Sequence, residues 1–384
     1  MSYTPRQSPR WALILGFLIL GTIALAVLSA VAPVKERLAL SSAVPYRAEP
    51  APPPAPTPTP DNAEVRLARA DQLLNDGQWP LAVEAYTGLL QTSPLLAVAE
   101  ARAARALLYQ NRMAEGLDHA QRAVDLDPRS AEAQTVLALA LDWTLNPDRA
   151  VIVARRATEL DPASAEALAV LAEAYSDKYR LREADDALDK AESLDRNLPA
   201  LWRVRGYVLE AKTDYLGGIA AYRHAVELAP RHSYLYISLG HALRAIKRYD
   251  EAIQAFQTAA DLAPTDPRPY GGLGMIYYAR EDYAAAQPVL EHALQIDPRY
   301  ATGYAQLGWI AYVQRDYARA APLFEQAAAL DPDRSHVAQY RHALGWVYLK
   351  LEQPDRARQQ FESALALNPD LQGARDGLVL VEPR

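Results

Sequence analysis

The sequence contains no cysteine among its 384 residues. This absence excludes disulfide bridges, thiolate metal ligands and a lipid-modified N-terminal cysteine. It also fits a protein that is exported from the cytoplasm. Disulfide bridges and thiolate metal sites therefore contribute nothing to the stability of the fold.

The recognisable signatures of catalysis are missing as well. The sequence has no P-loop, no Rossmann glycine fingerprint, no HExxH metal motif and no GxSxG nucleophile motif. Its histidines are scattered, without the i, i+4 pairing of a helical metal site; they are His119, His224, His232, His241, His292, His336 and His342. We therefore expect a non-enzymatic protein without a metal or other cofactor.

An excess of positive charge is also lacking. The formal net charge is −7 at pH 7, with 40 basic and 47 acidic side chains. Nucleic-acid binding depends on neutralising phosphates with lysine and arginine. We therefore expect no nucleic-acid partner.

What the sequence does contain is a pattern that returns every 34 residues. A three-residue insertion, 335–337, precedes the last copy. We number the copies as repeats 1 to 9; they occupy 63–96, 97–130, 131–164, 165–198, 199–232, 233–266, 267–300, 301–334 and 338–371. Such a period is typical of solenoids, in which each unit packs only against its neighbours.

Small residues recur at three fixed places of the repeats, except that repeat 1 has Leu89 at the third place, and a proline usually closes the repeat. Repeat 6 shows the pattern openly, with small residues at Gly240, Ala252 and Ala259 and the proline at Pro264. The small side chains allow two helices to approach closely, and the proline ends the second helix because it lacks an N–H group. Each repeat is therefore predicted to form a helix, a short turn and a second helix.

The repeats resemble the tetratricopeptide repeat (TPR). Repeat 6 matches that pattern at Tyr236, Leu239, Gly240, Leu243, Ala252, Phe256, Ala259 and Pro264. Repeats 5 to 9 follow it closely and repeats 1 to 4 more loosely; Arg196 stands where proline is expected, and repeat 3 has Asn146, Pro147 and Asp148 at its turn. The resemblance implies an all-α, right-handed superhelical solenoid of nine helix–turn–helix repeats.

The segment before the repeats predicts a membrane anchor. Residues 11–32 form a run of 22 residues without a charge, which as a helix would span about 33 Å. We interpret 1–10 as a cytoplasmic tail, 11–32 as a transmembrane signal-anchor helix and 33–62 as a proline-rich linker, in a single-pass protein whose repeats lie on the extracytoplasmic side. A cleaved signal peptide is the alternative interpretation.

The resemblance also implies where a partner would bind. In TPR arrays the first helix of each repeat lines the concave side, so its exposed face forms a groove. Aromatic and arginine side chains on that face suit an extended peptide. The predicted groove residues are Arg203, Tyr207, Tyr234, His241, Arg244, Arg268, Tyr278, Trp309, Tyr312, Trp346 and Lys350. Packing of these rings between neighbouring helices is the alternative interpretation.

The sequence thus predicts a membrane-anchored scaffold that binds a protein or peptide partner of unknown identity and performs no catalysis. One alternative is an envelope glycan-binding protein that uses Trp309, Tyr312 and Trp346 as stacking platforms. A second alternative is an envelope assembly chaperone, such as one that serves cytochrome maturation. The last segment, 372–384, is expected to cap the apolar end of the solenoid.

Overall fold

The computed structural model describes residues 62–93 and 96–381, which form nineteen α-helices and no β-strand. The all-α prediction is therefore confirmed for these residues. The predicted tail 1–10, the predicted transmembrane helix 11–32 and nearly all of the linker 33–62 lie outside the described residues. Within the described residues, no helix combines the length and the apolar character needed to cross a membrane.

The first eighteen helices come in pairs, each pair makes one repeat, and α19 follows the last pair. The first helix of repeats 1 to 8 has 13 residues and the second helix of every repeat has 14. In chain order the helices are α1 Ala63–Asn75, α2 Trp79–Thr92, α3 Ala97–Tyr109, α4 Met113–Leu126, α5 Ala131–Trp143, α6 Pro147–Leu160, α7 Ala165–Asp177, α8 Leu181–Leu194, α9 Pro199–Ala211, α10 Tyr215–Leu228, α11 Ser233–Ala245, α12 Tyr249–Leu262, α13 Pro267–Ala279, α14 Tyr283–Ile296, α15 Ala301–Val313, α16 Tyr317–Leu330, α17 Arg334–Lys350, α18 Pro354–Leu367 and α19 Gln372–Val381.

The turn inside each repeat uses one residue with a positive φ angle, two residues after the first helix ends. Repeat 1 has Gly77 at this place, with φ of 71°. The other eight repeats have larger residues there, with φ between 55° and 66°; they are Asn111, Leu145, Tyr179, Thr213, Lys247, Glu281, Arg315 and Glu352. The turn itself therefore does not require glycine, although glycine adopts this conformation most easily.

The core lies between the two helices of each repeat, and in repeats 5, 6, 8 and 9 a glycine of the first helix faces a ring of the second. At Gly240 an added Cβ would lie 2.8 Å from Cζ of Phe256. At Gly345 it would overlap the ring of Phe361 in the same way. Both phenylalanine rings are completely buried. The glycines of the predicted small-residue pattern thus make room for an aromatic core residue.

Two departures from the regular pattern have clear structural explanations. The insertion 335–337 is helical, because α17 begins at Arg334 and Asp333 accepts a 2.7 Å hydrogen bond from the N–H of Ser335. In repeat 4, α8 ends at Leu194 although no proline follows. There Asp195 accepts a 2.9 Å hydrogen bond from the N–H of Asn197, which forms the turn without proline.

Candidate partner-binding surface

The first helices of neighbouring repeats contact one another, as α3 contacts α5 and α13 contacts α15. They therefore form one side of the solenoid, which we call the inner face. Every predicted groove residue lies on one of these first helices, from α9 to α17. Some of these residues are held by contacts with other parts of the chain, and others keep part of their side chain exposed.

Repeats 1 and 2 close onto repeats 6 and 7. The ring of Tyr109, at the end of α3, stacks on the ring of Tyr234 in α11, with centroids 4.5 Å apart and planes 13° from parallel. Trp79, at the start of α2, lies 5.8 Å from Tyr234 and 5.5 Å from His232, between ring centroids. Tyr234 is only 5% exposed and Trp79 only 2%. Residues more than a hundred positions apart thus share one aromatic cluster.

Two polar contacts join the same parts of the chain. Arg268 donates a 2.9 Å hydrogen bond from Nη2 to the backbone oxygen of Tyr109. Nε2 of His232 lies 3.0 Å from the backbone oxygen of Asn75, to which it donates a hydrogen bond. Burial lowers the pKa of His232, which keeps the imidazole neutral. We call this set of contacts, which joins repeats 1–2 to the end of repeat 5 and to repeats 6–7, the clamp.

Beneath the clamp, ion pairs fill the inner face of repeats 2 to 5. The guanidinium of Arg203 pairs with the carboxylate of Glu173 and lies 5.4 Å from the ring of Trp143. Trp143 donates a 3.1 Å hydrogen bond from Nε1 to the same carboxylate. A cavity of only about 10 Å³ remains among these side chains. The inner face is therefore filled by its own residues in this region.

A buried carboxyl group lies in the same region. Asp142 is 3% exposed, and its Oδ1 atom has no hydrogen-bond partner among the described residues. Burial, together with the charges of Glu173 and Asp177, raises the pKa of Asp142 to about 9. Asp142 is therefore protonated at neutral pH, because an isolated charge is costly in a buried place.

A wider cleft opens at one edge of the clamp. Its volume is about 480 Å³. One wall consists of the turns of repeats 1 and 2, and the other of the loop between α12 and α13 together with Asp297; the lining residues include Trp79, Tyr109, Arg112, Pro264 and Asp266. The clamp thus leaves open space beside its aromatic cluster.

The first helices of repeats 7 to 9 present a different surface. Tyr278 on α13, Trp309 and Tyr312 on α15, and Trp346 on α17 are all half-buried. We call these four residues the aromatic strip. Each ring packs on a ring of the second helix of its own repeat, for example Trp309 on Phe324 with centroids 5.0 Å apart. Because all four side chains keep part of their surface exposed, the strip remains open for contact.

The remaining predicted groove residues lie between these two regions or at the end of the strip. Tyr207 is 36% exposed and donates a hydrogen bond to Asp177. His241 is half-buried against the ring of Phe256, and burial, with the nearby charges of Arg244 and Arg268, lowers its pKa to about 4. Lys350 is exposed at the end of α17. These residues thus add polar groups beside the strip, and Lys350 adds a positive charge at its end.

Sequence reasoning did not detect the clamp. All the predicted groove residues lie in repeats 5 to 9, although Tyr109 and Trp143 of repeats 2 and 3 pack on Tyr234 of repeat 6. One signal was available, since repeat 1 alone has glycine at the turn position that eight other repeats fill with larger residues. Trp79, which directly follows that turn, was a second signal.

Comparisons with known proteins agree with this architecture. Residues 233–299 and 300–370 match the model of the tetratricopeptide repeat family. No curated protein sequence matches the chain. The family match thus covers repeats 6 to 9, which are also the repeats that follow the pattern closely.

Solved structures share the fold. One is the Cut9–Hcn1 hetero-tetramer of the APC/C, with a TM-score of 0.64, 18% identity, and coverage of 83% of this chain and 63% of that chain. Yeast Tom70 gives a TM-score of 0.53 at 15% identity, covering 84% of this chain and 88% of that chain. Human IFIT1, solved as a dimer with PPP-AAAA, gives a TM-score of 0.53 at 16% identity, covering 71% of this chain and 73% of that chain.

At these identities the neighbours show the fold alone, and the chain spans less than two thirds of the Cut9–Hcn1 chain. The family match adds the sequence evidence for repeats 6 to 9. Repeats 6 to 9 therefore match the tetratricopeptide repeat family, and the described residues as a whole share the all-α solenoid fold.

Proposed function

We propose that this chain is a membrane-anchored TPR scaffold that binds a protein or peptide partner on its inner face and performs no catalysis. The observation that carries the proposal is the aromatic strip of Tyr278, Trp309, Tyr312 and Trp346, which stays half-buried while the inner face of the earlier repeats is filled. Partly exposed tryptophan and tyrosine side chains are the residues that most often dominate binding at interfaces.

The shape and charge of the surface favour a peptide with apolar side chains. Tyr278 and Tyr312 lie at the same place in successive repeats, so their rings repeat along the solenoid with the spacing of the first helices. Lys350 at one end and Arg244 at the other add positive charge. An extended segment with apolar residues and a carboxylate would meet both kinds of group.

A peptide selection followed by binding measurements tests this proposal. Peptides are selected from a random library on the full chain in mild detergent, and their affinity is then measured for the wild type and for Trp309→Ala and Trp346→Ala. We expect each substitution to weaken binding at least tenfold, which corresponds to about 1.4 kcal/mol. Equal affinity for wild type and both variants would rule out the strip as the binding surface.

A matched control separates local packing from binding. Tyr215 is 37% exposed at the start of α10 and lies outside the aromatic strip. Tyr215→Ala should leave the affinity unchanged. A glycan library in place of the peptide library distinguishes the carbohydrate alternative, since quenching of tryptophan fluorescence by a sugar alone would favour that alternative.

The membrane anchor is the second part of the proposal, and it rests on the uncharged run at 11–32. Removal of residues 1–32 should move the chain from the membrane fraction to the soluble fraction. If the full chain is already extracted by alkaline carbonate, the anchor does not exist. An N-terminal tag that is lost during export would instead show cleavage of a signal peptide.

A further inference from the structure

We infer that the clamp is a built-in gate, with Gly77 as its determinant, which restricts partner binding to repeats 7 to 9 by holding the inner face of repeats 2 to 6 closed. This inference deepens the proposed function and rests on it for the location of the partner. The closure itself rests only on contacts within the chain.

Gly77 is small because another part of the chain lies against it. Its φ of 71° matches the φ angles of eight non-glycine residues at the same turn position, so conformation alone does not select glycine. A Cβ at Gly77 would, however, overlap the backbone oxygen of Arg231 and lie 3.3 Å from Cδ2 of His232. A backbone oxygen cannot move aside as a flexible side-chain end can. The small residue in the turn of repeat 1 thus leaves room for Arg231 and His232 at the end of repeat 5.

The aromatic residue next to this turn also packs against the end of repeat 5 and the start of repeat 6. Trp79 directly follows the turn and is almost completely buried among Tyr109, His232 and Tyr234. In repeats 5 to 8 the corresponding place holds a tyrosine, and Tyr215 there is 37% exposed. The aromatic side chain at this place is therefore partly exposed in repeat 5 but buried in repeat 1.

The clamp decides which part of the inner face a partner reaches. The last residue of the first helix is Tyr109 in repeat 2 and Val313 in repeat 8; Tyr109 is 8% exposed and Val313 44%. Arg203, Tyr234 and Arg268 are likewise held by contacts within the chain. A peptide would have to separate the two parts of the clamp before it could touch them, whereas the aromatic strip needs no such opening.

The closure is tested by a distance measurement that needs no partner. Because the chain has no cysteine, Glu115→Cys and Thr265→Cys introduce the only two thiols for nitroxide labels, one on each side of the clamp. Both positions are exposed. The full chain in detergent should give one short, narrow distance distribution. Gly77→Asn should lengthen and broaden it, since asparagine tolerates the positive φ but adds the Cβ.

Two further variants make the result decisive. Arg315→Asn places the same residue at the same turn position of repeat 8, away from the clamp, and should leave the distance unchanged. Tyr234→Ala opens the clamp from the other side. It should broaden the distance distribution between the labels even if Gly77→Asn disturbs the folding of repeat 1. A broad distribution in the unsubstituted background, or an unchanged narrow one in both Gly77→Asn and Tyr234→Ala, would overturn the inference.

Hydrogen exchange in the presence of a selected peptide tests whether the clamp restricts where the peptide binds. In the wild type the peptide should protect α13, α15 and α17 only, and in Gly77→Asn protection should extend into α5, α7 and α9. Equal footprints despite an opened clamp would refute the gate. If the labels report closure but no peptide binds to any variant, the proposed function fails while the closure stands.

Discussion

The rings of Tyr109 and Tyr234 stack nearly in parallel although 125 positions in the sequence separate them. In a solenoid whose repeats touch only their neighbours, no such contact would exist. Here it joins repeat 2 to repeat 6, and Arg268 adds a contact between repeats 2 and 7. The described chain thus has long-range tertiary contacts in addition to its repeat interfaces.

Removal of one ring from this pair should loosen the clamp. Tyr234→Ala deletes a buried aromatic side chain, which typically costs about 3–5 kcal/mol. We expect faster hydrogen exchange in α3 and in the turn at Gly77, far along the sequence from the substitution. Tyr215→Ala serves as the control and should change neither. Exchange that accelerates only within repeat 6 would show that the stacking contributes nothing to closure.

A second prediction concerns the glycines of the core. Gly345→Ala places a methyl group against the buried ring of Phe361, and overpacking of this kind costs about 1–3 kcal/mol. We expect a lower melting temperature and faster exchange in α17 and α18. Gly88→Ala, in α2, is the matched control because, in the described part of the chain, nothing beyond its chain neighbours and its own helix backbone lies within 4 Å of its added Cβ. It should be neutral or stabilise the helix by up to about 1 kcal/mol; equal effects of the two substitutions would contradict this account of the core.

The sequence predicts the local features of this fold well and the long-range contacts poorly. The helix pairs are predictable because the small residues and the closing prolines recur at the same places, and each place has a local structural cause. The aromatic residues of α15 are likewise predictable as first-helix surface residues. The clamp is not, because it depends on the rotation from one repeat to the next, summed over four or five repeats. Small errors in that rotation would separate Tyr109 from Tyr234 entirely.

The buried Asp142 makes stability depend on pH. Its pKa is about 9 in the folded chain, above its ordinary value, so the folded state holds a proton that the unfolded state releases. Its contribution to the free energy of unfolding is therefore complete below pH 4 and is lost as the pH rises towards 9. Asp142→Asn should remove this dependence and stabilise the chain at pH 8 relative to the wild type, with little difference at pH 4. Parallel melting curves for both proteins across this range would refute the buried, protonated state.

The last helix is expected to protect the end of the solenoid. In α19 the backbone of Gly377 lies against the ring of Phe361, and Arg358 donates a hydrogen bond to the backbone oxygen of Val381. A chain that ends at Leu371 should expose Phe361, bind a hydrophobic dye more strongly and melt at a lower temperature. Replacement of the exposed Val379 and Leu380 by serine is the control and should do neither. Unchanged dye binding in the shortened chain would show that α19 is not a cap.

The most direct test of the central claim is the location of a bound partner on the solenoid. Hydrogen exchange of the full chain is compared with and without a saturating selected peptide, with the Trp309→Ala variant measured in parallel. We expect protection of α13, α15 and α17 in the wild type and its loss in the variant, because the peptide lies on the aromatic strip. Protection confined to the second helices, or equal protection in wild type and Trp309→Ala, would contradict the proposed binding surface.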